Sequence, residues 1–467
     1  MFLLTLCEGD GSIMQQYNER FKRFWKEYPE RDIEYIRVYP TSVSVMDQDD
    51  VWKKKEIVIY IHIPFCKSLC KYCPFTKYPH NDQIIEDYLK ALYKEIDMAS
   101  ALPYVQDKRI VSLCIGGGTP TVLSEKQLIG LLEYCKTKFD CVEGLEISIE
   151  ANPETVDSNK VKSMLDLGVN RISFGIQSFN DRFLQIIGRA HKGEASIRAI
   201  NMVKELGLGN VGIDLLYRIP GQTIEDWQNE LQKAIQLKVD YIATFCLSLV
   251  PGTQLFKDIM GGELPQQPSE QVEFEMFDKI KEILVSSNYS QHYIHDYALP
   301  GKECEYHKAS FYAPQKECLA LGAGGRSYIN GCFYGNVHPI DDYINTVNSG
   351  KLPISFGRKL SKKDEMSRFM VLGVKFLSVS KAKFRECFGI NVENVFLETL
   401  EKLENWGLIR NDTDFIRVTN KGEKYISNVC KAFYSPEDWG KLQPNGIELQ
   451  KKEGDFFMQY GTAPKKA

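Results

Sequence analysis

Short apolar runs rich in β-branched residues recur along the chain from residue 56 onward. Runs of this kind are typical of strands that are buried on both faces, as in a parallel sheet. Each run is separated from the next by a stretch long enough to hold a helix. The runs are Ile57–Ile63, Ile110–Ile115, Leu145–Ile149, Arg171–Ile176, Val211–Leu216 and Tyr241–Leu247.

The stretches between these runs place apolar residues three and four positions apart, which predicts amphipathic helices. These segments are Gln83–Met98, Glu125–Phe139, Asn159–Leu167, Ala195–Leu206 and Ile224–Gln236. A repeated strand–helix order predicts an α/β fold, either a doubly wound sheet or an incomplete barrel. Periodicity alone does not choose between these two architectures.

The pattern changes after about residue 330, and residues 361–435 predict helices followed by a strand pair around Asp412–Asp414. This order is typical of winged-helix domains, many of which bind DNA. The second predicted helix carries Glu398, Glu401 and Glu404, which would repel phosphate. We therefore expect a docking or packing domain here.

The 467 residues exceed what one ordinary core accommodates, so two domains with terminal extensions are expected. We divide the chain into an N-terminal extension (1–55), a main domain (56–335), a C-terminal domain (336–435) and a tail (436–467). The net charge of −4 gives no basic surplus, so no nucleic-acid partner is expected. No apolar stretch is long enough to span a bilayer, and the N-terminus lacks the features of a signal peptide, so we expect a cytoplasmic protein.

Three of the thirteen cysteines lie close together, at Cys66, Cys70 and Cys73. They follow the first predicted strand directly, at the edge where parallel α/β folds bind ligands. Thiolates are the preferred ligands of iron–sulfur clusters, and three of them leave one iron of a cuboidal cluster open to substrate. Zinc would need a fourth ligand, which His62 or His80 could supply. Because His62 lies among apolar residues of the strand, we favour a packed histidine and an iron–sulfur cluster.

The segment from Tyr60 to Cys73, Tyr-x-His-Ile-Pro-Phe-Cys-x3-Cys-x-Tyr-Cys, resembles the signature of the oxygen-independent coproporphyrinogen III oxidase-like family of radical S-adenosylmethionine (SAM) enzymes. Further motifs of the family follow in order over residues 56–435. They are Gly116–Pro120, Glu150–Pro153, Arg171–Phe179, Gly188–His191, Asp214 with Pro220–Gln222, Pro251–Thr253, His307 and Leu321–Gly325. The resemblance implies a partial (β/α)6 TIM-like barrel with a C-terminal winged-helix-like domain.

The resemblance also implies a chemistry. SAM would chelate the open iron, and the reduced cluster would cleave it to methionine and a 5′-deoxyadenosyl radical that removes hydrogen from a substrate. A reducing partner such as flavodoxin or ferredoxin would supply the electron. By motif position the SAM contacts are Tyr60, Phe75, Gly117, Gly118, Thr119, Glu150, Gln177, Arg189, Asp214 and Ser248. Of these, Gly118, Thr119, Gln177, Arg189, Asp214 and Ser248 match positions that hold a second SAM in the oxidase; no catalytic residue is assigned.

Three functions remain open within this family. The first is an enzyme that abstracts hydrogen from a tetrapyrrole or similar aromatic substrate, although Phe75 stands where the decarboxylating oxidase has a fourth cysteine. The second is a heme-binding and delivery protein, favoured by Pro251–Thr253 and Leu321–Gly325; those relatives carry His-Asn-x-x-Tyr-Trp where this chain has His307-Lys-Ala-Ser-Phe-Tyr. The third is a radical methyltransferase. The candidate heme ligands are His292, His295 and His307, each of which has an ordinary polar role as its simpler interpretation.

Overall fold

The computed structural model describes residues 56–309 and 316–435. The predicted N-terminal extension (1–55) and tail (436–467) lie outside these residues. The described chain divides into two compact units, the first made of residues 56–309 and 316–358 and the second of residues 359–435. In the part of the chain that is described, no helix has the length and apolar character needed to cross a membrane.

The first unit is built on one large sheet, and most of its central strands run parallel. Its strands are β1 (Glu56–Ile63), β4 (Arg109–Gly117), β5 (Cys141–Ala151), β6 (Arg171–Gln177), β7 (Asn210–Tyr217), β8 (Tyr241–Cys246), β9 (Ser290–Tyr293), β10 (Asp296–Ala298), β11 (Glu317–Leu321), β12 (Arg326–Ile329), β13 (Cys332–Asn336) and β14 (Ile354–Lys359). Their spatial order is β14-β13-β12-β11-β1-β4-β5-β6-β7-β8-β10-β9. A separate pair, β2 (Phe65–Cys66) and β3 (Tyr78–Pro79), lies in the loop after β1.

Helices follow most of the parallel strands and cover the sheet. They are α1 (Asp82–Ser100), α2 (Pro103–Gln106), α3 (Glu125–Lys138), α4 (Ser158–Asp166), α5 (Asp181–Ile186), α6 (Gly193–Glu205), α7 (Ile224–Gln236), α8 (Gln254–Met260), α9 (Glu270–Ser286), α10 (Glu305–Ala309) and α11 (Ile340–Asn348), with a 3₁₀ turn at Pro120–Val122. A capping box between Thr223 and Asp226 begins α7, and the helix buries Trp227 completely. Burial of a side chain of this size contributes about 2–3 kcal/mol.

All six predicted strands are present, and the run from β1 to β8 confirms the predicted α/β fold. A seventh parallel strand, β11, pairs with the other edge of β1 in a register that joins Ile61 to Leu321. Its five-residue apolar run is too short to distinguish a strand from a buried turn, so β11 was not predicted from the sequence.

Strand β5 places polar side chains within a sheet that is otherwise mostly buried and apolar. Its Ile147 and Ile149 are buried, while Glu146, Ser148 and Glu150 share the opposite face, since side chains alternate along a strand. This polar face takes part in the contacts of the candidate site below.

The second unit is helical with a small antiparallel sheet. Its helices are α12 (Lys362–Gly373), α13 (Lys381–Phe388), α14 (Glu393–Asn405), α15 (Asn420–Lys424) and α16 (Ile426–Lys431), with a 3₁₀ turn at Val374–Phe376. The sheet has the order β15 (Ser378–Ser380), β17 (Phe415–Val418), β16 (Ile409–Asn411), and it includes the predicted strand pair. The unit begins near Lys359, and α11 and β14 belong to the first unit.

Candidate cofactor site

The loop that carries the three cysteines is fastened to the end of β4 by backbone hydrogen bonds. Gly118 N donates to the carbonyl of Ile63 at 2.8 Å, and Thr119 N donates to that of Phe65 at 2.8 Å. A Cβ at Gly118 would lie 2.6 Å from the Phe65 oxygen and 3.0 Å from Cys66 Sγ. The third glycine of the Gly116–Gly118 motif is therefore needed for the cysteine loop to approach β4.

The three thiols share one neighbourhood. Burial raises the pKa of Cys66 to about 11; the hydrogen bond from Thr119 opposes this rise, and nearby Cys73 and Cys70 add to it. A metal that binds these thiols would deprotonate them, and the interactions of Cys66 with Cys70 and Cys73 place the three side chains close together.

The cysteine geometry also bears on the kind of metal centre. Among the residues described, no three His, Cys, Asp or Glu side chains converge in the manner of a site for a single ion. A cuboidal cluster takes each thiolate on a different iron, so its ligands need not converge on one point. Three partly buried free thiols on one loop fit a [4Fe–4S] cluster.

Residues that follow β6 and β8 hold the segment between the second and third cysteines. Lys71 N donates to the carbonyl of Ile187 after β6, and Leu255 N, after β8, donates to the carbonyl of Lys71, at 3.1 and 2.9 Å. The ammonium of Lys71 pairs with Asp258 of α8 at 2.7 Å. The Gly188–His191 and Pro251–Thr253 motifs thus flank two segments that clamp the cysteine loop.

Arg189 contacts a cysteine directly. Its Nη1 donates to Cys70 Sγ at 3.3 Å, and its Nη2 donates to the carbonyl of Gly175 in β6. Gly188 adopts φ +73°, and a Cβ there would lie 2.7 Å from Lys71 Cγ, so the preceding glycine lets the turn approach the loop.

Glu150 is the penultimate residue of β5, at the end of the sheet where the cysteine loop lies. One of its carboxylate oxygens accepts a hydrogen bond from Gly117 N at 2.9 Å, and a Cβ at Gly116 would lie 2.6 Å from the same carboxyl group. Burial raises the pKa of Glu150, while Gly117 opposes the rise. The Gly–Gly backbone therefore fixes a carboxylate at the position where a ligand's hydroxyl groups could be bound.

Asp214 of β7 lies close to these groups. Burial raises the pKa of Asp214 to about 7, with Glu150 and Asp296 adding to the rise and Arg171 and His307 opposing it. A carboxyl group with this pKa exchanges a proton near neutral pH, which suits it to proton transfer or to binding a cationic ligand.

The remaining predicted SAM contacts differ in exposure. Tyr60 of β1 stacks on Tyr306 with ring centroids 5.7 Å apart, and its hydroxyl lies 3.2 Å from Nδ1 of His62. Gln177 ends β6 in a left-handed conformation with φ +70°. Phe75 is 46% exposed on the cysteine loop, and Ser248 lies exposed just beyond β8.

The two alternative zinc ligands have other surroundings. Burial, followed by the effect of His338, lowers the pKa of His62 to about 4. A Cβ on Gly117 would lie 2.7 Å from the His62 ring, so the imidazole packs against the glycine motif. His80 pairs with Asp82 at 3.3 Å on the surface.

A second polar cluster involves His307, which lies on α10. Its Nδ1 lies 3.0 Å from Asp296 Oδ2 and 3.0 Å from the hydroxyl of Tyr241. Burial alone would raise the pKa of Asp296, but the hydrogen bonds from His307 and Tyr241 lower it to about 2. Glu146 of β5 accepts from the backbone N–H groups of Glu305 and Tyr306 at 2.8 Å, which anchors the start of α10.

The other candidate histidines pack on aromatic rings of β8. His292 lies 5.4 Å from Tyr241 and His295 lies 5.5 Å from Phe245, between ring centroids. Sequence reasoning named the histidines but missed Asp296, Tyr241 and Glu146. The alternation of Glu146, Ser148 and Glu150 along β5 could have identified Glu146, whereas a three-residue strand gave no pattern for Asp296.

Comparison with known proteins agrees with this architecture. A family model described as the radical SAM superfamily matches residues 60–234, and one described as the HemN C-terminal domain matches residues 360–422. The fold is similar to the structure titled as coproporphyrinogen III oxidase (HemN) from Escherichia coli, with a TM-score of 0.74 and 25% identity, covering 82% of this chain and 91% of that one.

Relatives at the sequence level carry two kinds of name. The heme chaperone HemW of Bacillus subtilis (strain 168) is 32% identical over 376 residues, which cover 80% of this chain and 98% of the relative. The oxygen-independent coproporphyrinogen III oxidase of Synechocystis sp. is 27% identical over 450 residues, covering 91% of this chain and 95% of that protein.

The fold and the cysteine loop define a radical SAM protein. Within this superfamily the chain belongs to the HemN/HemW coproporphyrinogen III oxidase-like family and has a HemN-type C-terminal domain. The predicted family and fold class are thereby confirmed, and a [4Fe–4S] cluster and SAM are the cofactors that membership implies.

Proposed function

We propose that this chain binds heme and passes it to an acceptor protein, on a radical SAM barrel whose [4Fe–4S] cluster is held by Cys66, Cys70 and Cys73. The observation that carries this proposal is the pairing of His307 with Asp296. A carboxylate can only accept a hydrogen bond, so the His307 nitrogen that faces Asp296 must carry the proton. In the neutral ring Nε2 then holds the lone pair that a heme iron requires.

This arrangement is the one that metal-ligating histidines commonly have, with the second nitrogen donating to a carboxylate. Aromatic rings surround His307, with Tyr306 at 5.8 Å and Tyr293 at 6.4 Å between ring centroids. Flat apolar rings favour contact with a porphyrin plane. His307 is therefore our candidate axial ligand, ahead of His292 and His295, which pack on the rings of Tyr241 and Phe245.

The relatives support heme delivery better than the enzyme that the sequence analysis placed first. A Bacillus subtilis relative is named a heme chaperone, and the aligned region covers 98% of that relative. Phe75 stands where the decarboxylating oxidase has a fourth cysteine, which also distinguishes this chain from that oxidase.

SAM cleavage remains the second candidate function, favoured by the fixed carboxylate of Glu150 beside Gly117. When bound, the cluster would supply the electron for reductive cleavage of SAM. The chain's own contribution would be ligation by the three cysteines, contact of SAM with Tyr60, Gly117 and Glu150, and exclusion of water by the clamped loop. The substrate would be a tetrapyrrole or similar aromatic molecule, and a flavodoxin- or ferredoxin-like protein the reductant.

We also propose that the protein works in the cytoplasm. The twelve cysteines of the described residues are all free thiols. Reduced cysteines in this number are typical of a reducing compartment.

The test uses the full-length protein, purified and reconstituted with iron and sulfide without oxygen. Hemin is titrated into the wild type, His307→Ala and the exposed control His80→Ala, and binding is followed at the Soret band; SAM cleavage is measured in parallel as 5′-deoxyadenosine. We expect stoichiometric heme binding that His307→Ala weakens at least about tenfold and His80→Ala leaves unchanged. Absence of heme binding together with rapid turnover of a porphyrinogen would replace this proposal with the oxidase, and S-adenosylhomocysteine formation would replace it with methyl transfer.

A further inference from the structure

Arg189 is held in one position by contacts on both of its sides. Its backbone N donates to the carbonyl of Leu184 at 2.9 Å. The guanidinium bridges Cys70 Sγ and the carbonyl of Gly175. Since the preceding turn also accepts a hydrogen bond from Lys71 N, the donor and the thiol that it contacts are fixed relative to each other.

A donor in this position has a defined electrostatic effect on a metal cluster. The guanidinium is charged at any accessible pH, and an N–H···S hydrogen bond withdraws negative charge from a ligating sulfur. Reduction adds one electron to the cluster, so the reduced state gains more from the donor than the oxidised state. Hydrogen bonds to cluster sulfurs accordingly tune the reduction potential, and a partly buried site strengthens the effect.

We infer that Arg189 is a positioning residue that acts through Cys70 to raise the reduction potential of the cluster. This inference rests on the proposed assignment of the cluster to Cys66, Cys70 and Cys73. It gives Arg189 a role toward the cluster that is distinct from the second-SAM contact implied by the family resemblance. Because Cys70 is joined to Lys71, the same turn that supplies the donor also holds the loop in place.

The test compares the wild type with Arg189→Met, which removes the charge and the donors, and Arg189→Gln, which keeps a neutral donor. Arg198→Met is the matched control, since Arg198 is exposed and pairs with Glu194 four residues earlier. Each full-length protein is reconstituted without oxygen and without SAM. Its midpoint potential is then measured by redox titration monitored by electron paramagnetic resonance, with iron content determined on the same sample.

We expect Arg189→Met to make reduction about tenfold less favourable, a negative shift of about 59 mV for one electron. Arg189→Gln should fall between it and the wild type, and Arg198→Met should match the wild type. Should Arg189→Met not retain its cluster, Arg189→Gln decides the question alone. Potentials equal to that of the wild type in the Arg189 variants, or an equal shift in Arg198→Met, overturn the inference. Failure of the wild type itself to assemble a cluster would instead refute the cofactor assignment.

Discussion

Replacement of Asp296 by asparagine tests the role of His307 without removing the candidate ligand. The side chain keeps its shape but loses the charge, and the amide can present either an oxygen or an NH₂ group to the imidazole. His307 Nδ1 lies 3.0 Å from the present carboxylate, so the imidazole would lose the partner that sets its tautomer. We expect Asp296→Asn to weaken heme binding because part of the population then carries its proton on Nε2.

The magnitude follows from the pKa of Asp296, which His307 and Tyr241 lower from 3.8 to about 2 in spite of burial. A shift of this size corresponds to about 2 kcal/mol of favourable interaction with the ionised carboxylate. Because the free protein loses this contact as well, only part of this energy enters the heme affinity, and we expect affinity to fall about tenfold, the lower end of the range of about 10- to 100-fold typical for partners of metal-binding histidines.

The assay is a hemin titration of the full-length protein at neutral pH, with the exposed residue Asp107 replaced by asparagine as the matched control. His307→Ala and the double variant complete a mutant cycle. Since both residues act through one contact, the double variant should bind no more weakly than His307→Ala alone. Wild-type affinity in Asp296→Asn, or losses that add in the double variant, would refute the reasoning.

Three further results are expected. Burial raises the pKa of Glu95 from 4.5 to about 7, so its contribution to the free energy of unfolding is complete below pH 4.5 and falls by ~3 kcal/mol as pH rises to 7. Glu95→Gln should remove this pH dependence, measured by denaturation at pH 4.5, 6 and 8. An equal pH dependence of stability in the variant and the wild type would contradict the prediction. Asp258→Asn, which breaks the contact with partly exposed Lys71, should speed iron loss to a chelator about threefold, equivalent to ~0.7 kcal/mol, and an unchanged rate would show that the clamp does not depend on this pair. Gly118→Ala should lower cluster content and cost about 1–3 kcal/mol of stability, because its Cβ would lie 2.6 Å from the Phe65 oxygen. Gly130→Ala is the control that should keep the cluster, because its Cβ would come no nearer than 3.4 Å to Tyr93 Oη.

The parts of the fold that could be predicted from sequence are those with local causes. The six predicted strands are rich in β-branched residues and flanked by helical periodicity, so each could be predicted from its own segment. β11 was not predicted, because its apolar run has only five residues and its pairing with β1 joins residues more than two hundred positions apart in sequence. β14 is likewise assigned by its place in the sheet and not by a local pattern.

The same distinction between local and long-range causes applies to the candidate site. The cysteine loop and the Gly116–Gly118 motif are each a single contiguous segment, so the residue spacing within each segment could predict its role. The hydrogen bond from Arg189 to Cys70 joins residues 119 positions apart, and the contact of Tyr241 with His307 joins residues 66 positions apart. No periodicity records such pairs, so the clamp and the Asp296–His307 contact required the structure.

Iron and sulfide analysis of anaerobically reconstituted cysteine variants tests the central claim most directly. The full-length wild type and Cys114→Ala, which removes a buried thiol from β4, should each hold about four irons and four sulfides per chain. Cys66→Ala, Cys70→Ala and Cys73→Ala should each lose the cluster. A full complement of iron and sulfide in any of these three variants, or zinc in place of iron in the wild type, would contradict the account.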